Sequence, residues 1–257
     1  MTTVDERMAA RRAEVRTDRR QHRLRRTLLV VFVLVVAAVA ATVERSWLVA
    51  LAEVQVEGTQ RLDPADVLHA AGLELGTSTL RLPMGAAADR VTALPLVATA
   101  TIRRISPVRV RISVVERVPV LVARTARGSV LLDAEGIIVA EGSEQGQPIL
   151  DVLDGVGLPA PGEHTRGAPS LDAGHRVFIG LSGPVRAEVV RLEVRAPHDV
   201  DLILAGGIRV RMGRAVEIEA KVRTLGALLQ EVAGEDVAVI DVRVPGSPIV
   251  SSIPRDI

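Results

Sequence analysis

The sequence contains no cysteine and no tyrosine. Without thiols there is no disulfide framework, no thiolate nucleophile and no cysteine-ligated metal cluster. Aromatic side chains are nearly missing too, since Phe32, Trp47 and Phe178 are the whole set. A chain so short of stacking platforms is ill-suited to single-stranded nucleic acid. Val, Leu, Ile and Ala must then carry the packing, which suits strands and closely packed helices. Lysine is scarce as well: Lys221 stands alone against thirty-one arginines, an imbalance of the kind a GC-rich coding genome produces.

Net charge over the 257 residues is only +1, yet it is unevenly spread. Residues 1–26 hold nine Arg against four acids, residues 27–43 hold no charge, and −4 is left for residues 44–257. The basic block is local, so the larger part of the chain has no electrostatic reason to seek nucleic acid. Hydrophobic content of 48% supplies a core, and the two hundred or so residues beyond the apolar run suffice for one without disulfides.

That run, Thr27 to Val43, is seventeen residues long. As a helix it measures roughly 26 Å, just short of a hydrocarbon core of about 30 Å. Leu24 and Trp47 to Leu51 extend it, with Arg25, Arg26 and Arg45 snorkelling outward. The expectation is a single transmembrane helix over 27–48, with Leu28, Leu29, Val30, Val31, Phe32, Val33, Leu34, Val35 and Val36 in lipid and Trp47 at the interface. Arginine on its N-terminal flank keeps the 1–26 tail in the cytoplasm and sends the remainder outside, a type II arrangement. The rival reading is a signal peptide cleaved near Ala38-Val39-Ala40, which would release a secreted binding protein.

Beyond the run, Leu51, Val54 and Val56 sit around polar residues up to Gly58 and read as a short strand. Asp63-Pro64 opens a helix that Gly72 stops, and Ala87, Val91 and Leu94 mark a second helix over Met84 to Leu94. Two alternating strands then meet at Ser106-Pro107. The first has Ala98, Ala100 and Ile102 on one face and Thr99, Thr101 and Arg103 on the other. In the second, Val108, Val110, Ile112 and Val114 face inward, away from Arg109, Arg111 and Ser113. The order strand, helix, helix, strand, strand is a compact α+β unit.

The rest reads as a second, mixed domain. Ser129 to Gly142 is strand, Asp133-Ala-Glu-Gly136 turn, strand, and residues 154–169 form a Pro/Gly-rich connection. Helices are expected around 171–181 and 184–189. Alternation marks strands at Leu192 and Val194, at Val200 to Leu204 and at Ile208 to Met212, with Gly206-Gly207 as a two-residue hairpin turn. An amphipathic helix follows over Arg214 to Val232, then the strand DVAVIDVRV.

Chemistry is harder to find. His22, His69, His164, His175 and His198 are scattered, with no pair at metal-binding spacing. Asp151, Asp154 and Glu163 are the only candidate paired carboxylates, in what reads as a polar loop. Gly155-Val-Gly157 lacks the setting of a dinucleotide loop, and no Gly-x-Ser-x-Gly elbow occurs. No cofactor, metal or small-molecule substrate is implied. An open strand edge remains, whose unpaired N–H and C=O groups accept a strand from another chain.

VQVEG, the helix ending HAAGLELG, LPLVATATIRRISP and VRVRISVVERVPV, in that order, resemble the POTRA module of the FtsQ/DivIB bacterial cell-division family. LILAGGIRVRMG and VIDVRVPGSPIV resemble the family's β domain. The resemblance implies an α+β protein: a cytoplasmic tail (1–26), a transmembrane helix (27–48), a POTRA domain (49–118, β-α-α-β-β) and a mixed β domain with helices (119–257). It also implies a non-enzymatic divisome scaffold at the septum, linking early and late assembly and regulating septal peptidoglycan synthesis. Implied partners are the bitopic proteins FtsB and FtsL, with FtsK, FtsW and the septal transpeptidase. The matching partner-binding positions are Ile240, Asp241, Val242, Arg243 and Val244, then Ile249 and Val250. A second docking edge would be Ala98, Thr99, Ala100, Thr101, Ile102, Arg103 and Arg104. The competing reading is a membrane-anchored extracytoplasmic enzyme acting on cell wall, which needs convergent acids or a nucleophile in a cleft.

Overall fold

The computed structural model describes residues 25–39, 42, 47–233 and 236–252. Residues 25–39 are helical, and apolar side chains all round this helix lie exposed, Leu28 at 66% and Phe32 at 68% among them. At 1.5 Å per residue it is about 22 Å long. Among the described residues no helix is long and apolar enough to cross a membrane. The 1–24 tail, and residues 40, 41 and 43–46 of the expected span, lie outside the described residues.

The chain divides into two compact units: residues up to 55 with 72–85 and 102–112, and residues 56–71, 86–101 and 113–257. A three-stranded sheet comes first in the chain. Its strands are β1 (Glu53–Glu57), β2 (Val97–Ser106) and β3 (Arg109–Glu116), in the order β1-β3-β2.

In the first unit a one-turn 3-10 helix, Trp47–Val49, leads the chain in. Residues 76–79 run antiparallel beside 49–51, held by Leu51 N–H to Thr77 O at 2.8 Å and Thr79 N–H to Val49 O at 2.8 Å. Val49, Leu51, Thr79, Val110 and Ile112 are buried there.

In the second unit, α1 (Pro64–Ala71) starts where expected, because the Asp63 carboxylate accepts the Ala65 N–H at 2.8 Å, as an N-cap does. α2 (Met84–Thr92), most of which belongs to this unit, buries Ala87 and Val91. Gly58 is obligatory: its φ is 90°, and a Cβ there would stand 2.0 Å from the Val114 carbonyl oxygen, so no side chain fits. The Glu-Arg of the Glu-Arg-Val-Pro stretch is also explained. Glu116 accepts N–H bonds from Gln60, Arg61 and Leu62, while Arg117 pairs with Asp133 at 2.5 Å and Glu135 at 2.8 Å. Burial works against the Glu116 charge, yet those three backbone donors hold its pKa below the ordinary carboxylate value.

The rest of this unit is a nine-stranded sheet. β4 (Pro119–Thr125), β5 (Gly128–Asp133), β6 (Ile138–Glu141) and β7 (Ile149–Val152) come first in the chain. Then follow β8 (Val189–Ala196), β9 (Asp199–Leu204), β10 (Arg209–Gly213), β11 (Val237–Asp241) and β12 (Ile249–Ser252). Their spatial order is β12-β11-β10-β9-β8-β7-β4-β5-β6. Three pairs are parallel, β4/β7, β7/β8 and β10/β11, and the others are antiparallel. Three helices accompany the sheet: α3 (Pro169–Gly180), α4 (Gly183–Glu188) and α5 (Ile218–Glu231).

Alternation puts Leu121, Ala123, Leu150, Val152, Leu192, Val194, Leu202 and Val210 in one core with Leu171, Val177, Phe178 and Leu225 of the helices. Gly174 lets α3 settle closely on the sheet, since a Cβ there would come within 2.5 Å of Leu150 Cδ1. The opposite strand face is charged. Register lines up Arg124, Asp151, Glu193, Asp201, Arg211 and Asp241 across six strands. The three acids Asp151, Glu193 and Asp201 stand side by side in this row, where like charges repel, and Arg191, Arg209 and Arg195 pair with them at 3.5, 2.7 and 3.0 Å.

Two expectations need correction. The β9–β10 turn holds three residues, 205–207, because Leu204 N–H bonds to Ile208 O at 3.0 Å. α5 begins at Ile218 rather than Arg214, because Glu217 has φ 53° and breaks the helical run there.

Candidate partner-binding edge

The end of the nine-stranded sheet at β12 is built from the last third of the chain. β10 lies parallel to β11 with Arg211 opposite Asp241, and Val242 N–H donates to Arg211 O at 3.0 Å. In a parallel ladder that bond turns the backbone groups of Ile240 and Val242 toward β10 and those of Val239 and Asp241 toward β12. β12 pairs antiparallel, Asp241 with Ile249 and Ile240 with Val250. The backbone groups of Ile249 therefore face β11, and the N–H and C=O of Val250 point outward. Among the described residues β12 has no strand on its outer side.

The turn into β12 is held firmly. Thr224 Oγ1 on α5 donates to Pro245 O at 3.2 Å, and Ser247 N–H donates to Val244 O at 3.1 Å. Burial presses against the Asp241 charge, but hydrogen bonds from the Arg243 side chain and N–H keep its pKa below the ordinary value. The sole lysine supports this region from below. Lys221 is 1% exposed, and its Nζ donates to Met212 O at 2.9 Å and Arg214 O at 2.8 Å. Desolvation lowers its pKa, with Glu217 opposing.

The seven positions expected here separate into three groups. Ile240 and Val242 are core at 0% exposure; Asp241 and Arg243 form an internal ion pair at 2.7 Å; Val244 at 63%, Ile249 at 62% and Val250 at 37% are surface. The expected positions span both closing strands: β11 is flanked on both sides, so of the two the open rim belongs to β12, which carries Ile249 and Val250.

At the second expected edge, β2 is an outer strand. Ala98, Ala100 and Ile102 are half-buried while Thr99, Thr101, Arg103 and Arg104 are exposed; the alternation holds from Ala98 to Arg103, and Arg104 departs from it. Of the anchor positions, Leu28 to Val36 lie on the 25–39 helix and Trp47 opens the 3-10 turn.

The carboxylates considered for chemistry do not converge. Asp151 is a strand residue, not a loop residue, and is paired with Arg124 at 2.7 Å and Arg191 at 3.5 Å. Asp154 accepts from Val156 N–H, and Glu163 from Ala160 N–H. Among the described residues no group of three His, Cys, Asp or Glu side chains could hold a metal ion. Sequence reasoning missed buried Lys221, although its place four residues before Leu225 put it on the apolar face of α5.

A family model described as "POTRA domain, FtsQ-type" matches residues 49–117, and one described as "Cell division protein FtsQ/DivIB, C-terminal" matches residues 121–243. Cell division protein FtsQ of Mycobacterium leprae is 34% identical over 176 residues, 68% of this chain and 49% of that protein. The protein of that name from Streptomyces collinus is 31% identical over 210 residues, 79% of this chain and 78% of its own. The one from Rhodothermus marinus is 32% identical over 231 residues, 84% and 82%. Against the first two mycobacterial relatives the chain spans 49% and 63% of their length. Two domain matches that between them reach from residue 49 to residue 243, and relatives matched along most of their own sequence, agree with the strand-helix-helix-strand-strand order: the chain belongs to the FtsQ/DivIB family of cell division proteins.

Proposed function

We propose that this chain is a non-enzymatic division scaffold, anchored by its apolar N-terminal helix with the bulk outside the membrane. It works at the septum by adding strands of other division proteins to its own sheet edges. The observation that carries this is the outer rim of β12, where Val250 turns its backbone groups away from β11 and Ile249 is 62% exposed. Main-chain bonds to such a rim give affinity, and alternate side chains give selectivity. The partner expected there is an extended segment of an FtsB-type bitopic protein travelling with FtsL. The edge of β2 is the second docking place, for FtsK, FtsW or the septal transpeptidase, and through these contacts septal peptidoglycan synthesis is regulated.

The test is co-purification of the full chain with the FtsB–FtsL pair. Val250→Pro removes the outward donor while leaving the β11–β12 ladder bonds in place, and the expected result is loss of capture. Proline at Val242 is unsuitable, because that N–H already bonds inside the sheet and the residue is 0% exposed. Undiminished capture by Val250→Pro, with β12 shown to be intact, overturns strand addition at this rim.

A further inference from the structure

A cavity of about 400 Å³ opens in the second unit, where the start of α3, the β8–β9 turn and the β10–α5 link meet. Buried Ala173 and Ala215 line it, and so do Arg166, Arg176, Arg214 and His198, all four exposed. Arg176 Nη2 donates to Ala215 O at 3.1 Å, which joins two of its walls and fixes that guanidinium in place.

Three arginines here share the lining with a single carboxylate, Asp172. That carboxylate is engaged already: it accepts from Thr165 Oγ1 at 3.1 Å, and its charge acts on His175. The acids next along the chain are engaged too. Asp199 pairs with Arg195 at 3.1 Å, and Glu217 acts on Lys221. Among the described residues the guanidiniums of Arg166 and Arg214 have no carboxylate partner. The contrast lies on the charged sheet face, where a second cavity also holds two arginines. There Arg209 pairs with Glu193 at 2.7 Å and Arg191 with Asp151 at 3.5 Å.

Unpaired guanidinium forks match the oxygens of a carboxylate or a phosphate. Charge decides between them. One carboxylate would leave the cluster largely unbalanced, whereas a phosphate monoester brings about two negative charges and three acceptor oxygens. The volume is that of a small-ligand site and exceeds what the phosphate fills, so a compact body fits beside it against Pro197 and Val216.

We propose that this cavity binds a phosphate monoester carried on a small polyol or sugar unit, with Arg166 and Arg214 as the forks on its oxygens. Neither strand addition at β12 nor the membrane anchor is needed for it.

The test is calorimetric titration of the detergent-solubilised full chain with glycerol 3-phosphate at low salt, alongside its melting midpoint. Saturable binding and a midpoint raised by a few degrees are expected, since a ligand that binds only the folded state stabilises it. Arg166→Gln and Arg214→Gln, singly and together, should weaken binding, the pair by about tenfold or more. Arg127→Gln, at an exposed arginine in the β4–β5 turn, should leave it unchanged. The unliganded midpoint of each variant separates lost binding from lost folding. No binding to the unaltered chain overturns the inference, as does equal loss in the Arg127 variant. Malonate or a glutamate-rich peptide bound as tightly as the phosphate also overturns it, because the cavity is then a carboxylate site. Tighter binding of dihexanoyl phosphatidic acid below its micelle concentration would place the ester on a lipid and overturn the polyol body.

Discussion

The two ends of the nine-stranded sheet are treated oppositely by the same chain. At the β6 end, residues 162–164 cover the rim: Ile138 N–H bonds to Glu163 O at 2.9 Å, Gly162 N–H bonds to Ile138 O at 2.8 Å, and Ile137 bridges to His164. At the β12 end, all four strand residues are exposed, and among the described residues no segment does the equivalent. An uncovered rim is a liability that folds ordinarily suppress. A sheet that spends a Pro/Gly-rich segment on closing one end has the means to close both. That difference is what the proposed strand addition at the β12 rim requires.

Hydrogen exchange gives the largest expected contrast between the two ends. The Ile138 amide should open only with the core, at a free energy near the global stability of several kcal/mol, and so be protected on the order of a thousandfold or more. The outward Val250 amide should exchange almost freely until a partner strand binds it. Comparable protection of both amides in the isolated chain would abolish the distinction.

Lys221 allows the comparison to be sharpened at the open end. Replacing it with Met keeps the bulk but leaves Met212 O and Arg214 O without their buried donor, a cost of about 1–3 kcal/mol. The expected readout is a lowered denaturation midpoint, with faster exchange at Val242 than at Ile138. An unchanged midpoint would mean that water replaces the ammonium and that the lysine is not a support.

How much of this was legible in the sequence depends on range. Asp63 before Pro64, the alternation from Leu192 to Met212 and the apolar stripe of α5 are local signals, and each became the element it announces. The parallel neighbours are not local. β4 pairs with β7 and β10 with β11 across intervening segments, and no periodicity in either strand names its partner. Hence β4 beyond Val120 has no local signal, Asp151 reads as a loop acid, and the rim reads as shared by both closing strands. The order of the sheet puts it on β12, with Ile249 and Val250, and encloses β11. The Glu-Arg of the Glu-Arg-Val-Pro stretch was legible as a pattern but not as physics. Only the structure shows Glu116 gathering three backbone donors and Arg117 reaching the β5–β6 turn.

The smallest expected effect is on pH, and it separates the ends again. At the closed end His175 on α3 is 6% exposed, with its Nε2 3.1 Å from Asp133 O. The groups around it are Asp133 and Asp172, which favour its charged form, and His164, which opposes it; desolvation outweighs them and lowers its pKa from 6.5. The folded state then binds fewer protons than the unfolded one, so this contribution is whole above pH 6.5 and is lost as pH falls through the depressed folded value. At the open end the Asp241 carboxyl is lowered from 3.8, so its contribution begins to fade only as pH drops below that figure. Between roughly pH 7 and pH 5 the protection factor, taken against the intrinsic exchange rate at each pH, should therefore fall more at Ile138 and Thr165 than at Val242, since of His175 and Asp241 the imidazole has its ordinary value nearer that window. His175→Gln should flatten the difference. If the variant keeps the same pH profile, the His175 imidazole is not what weakens the closed end in acid.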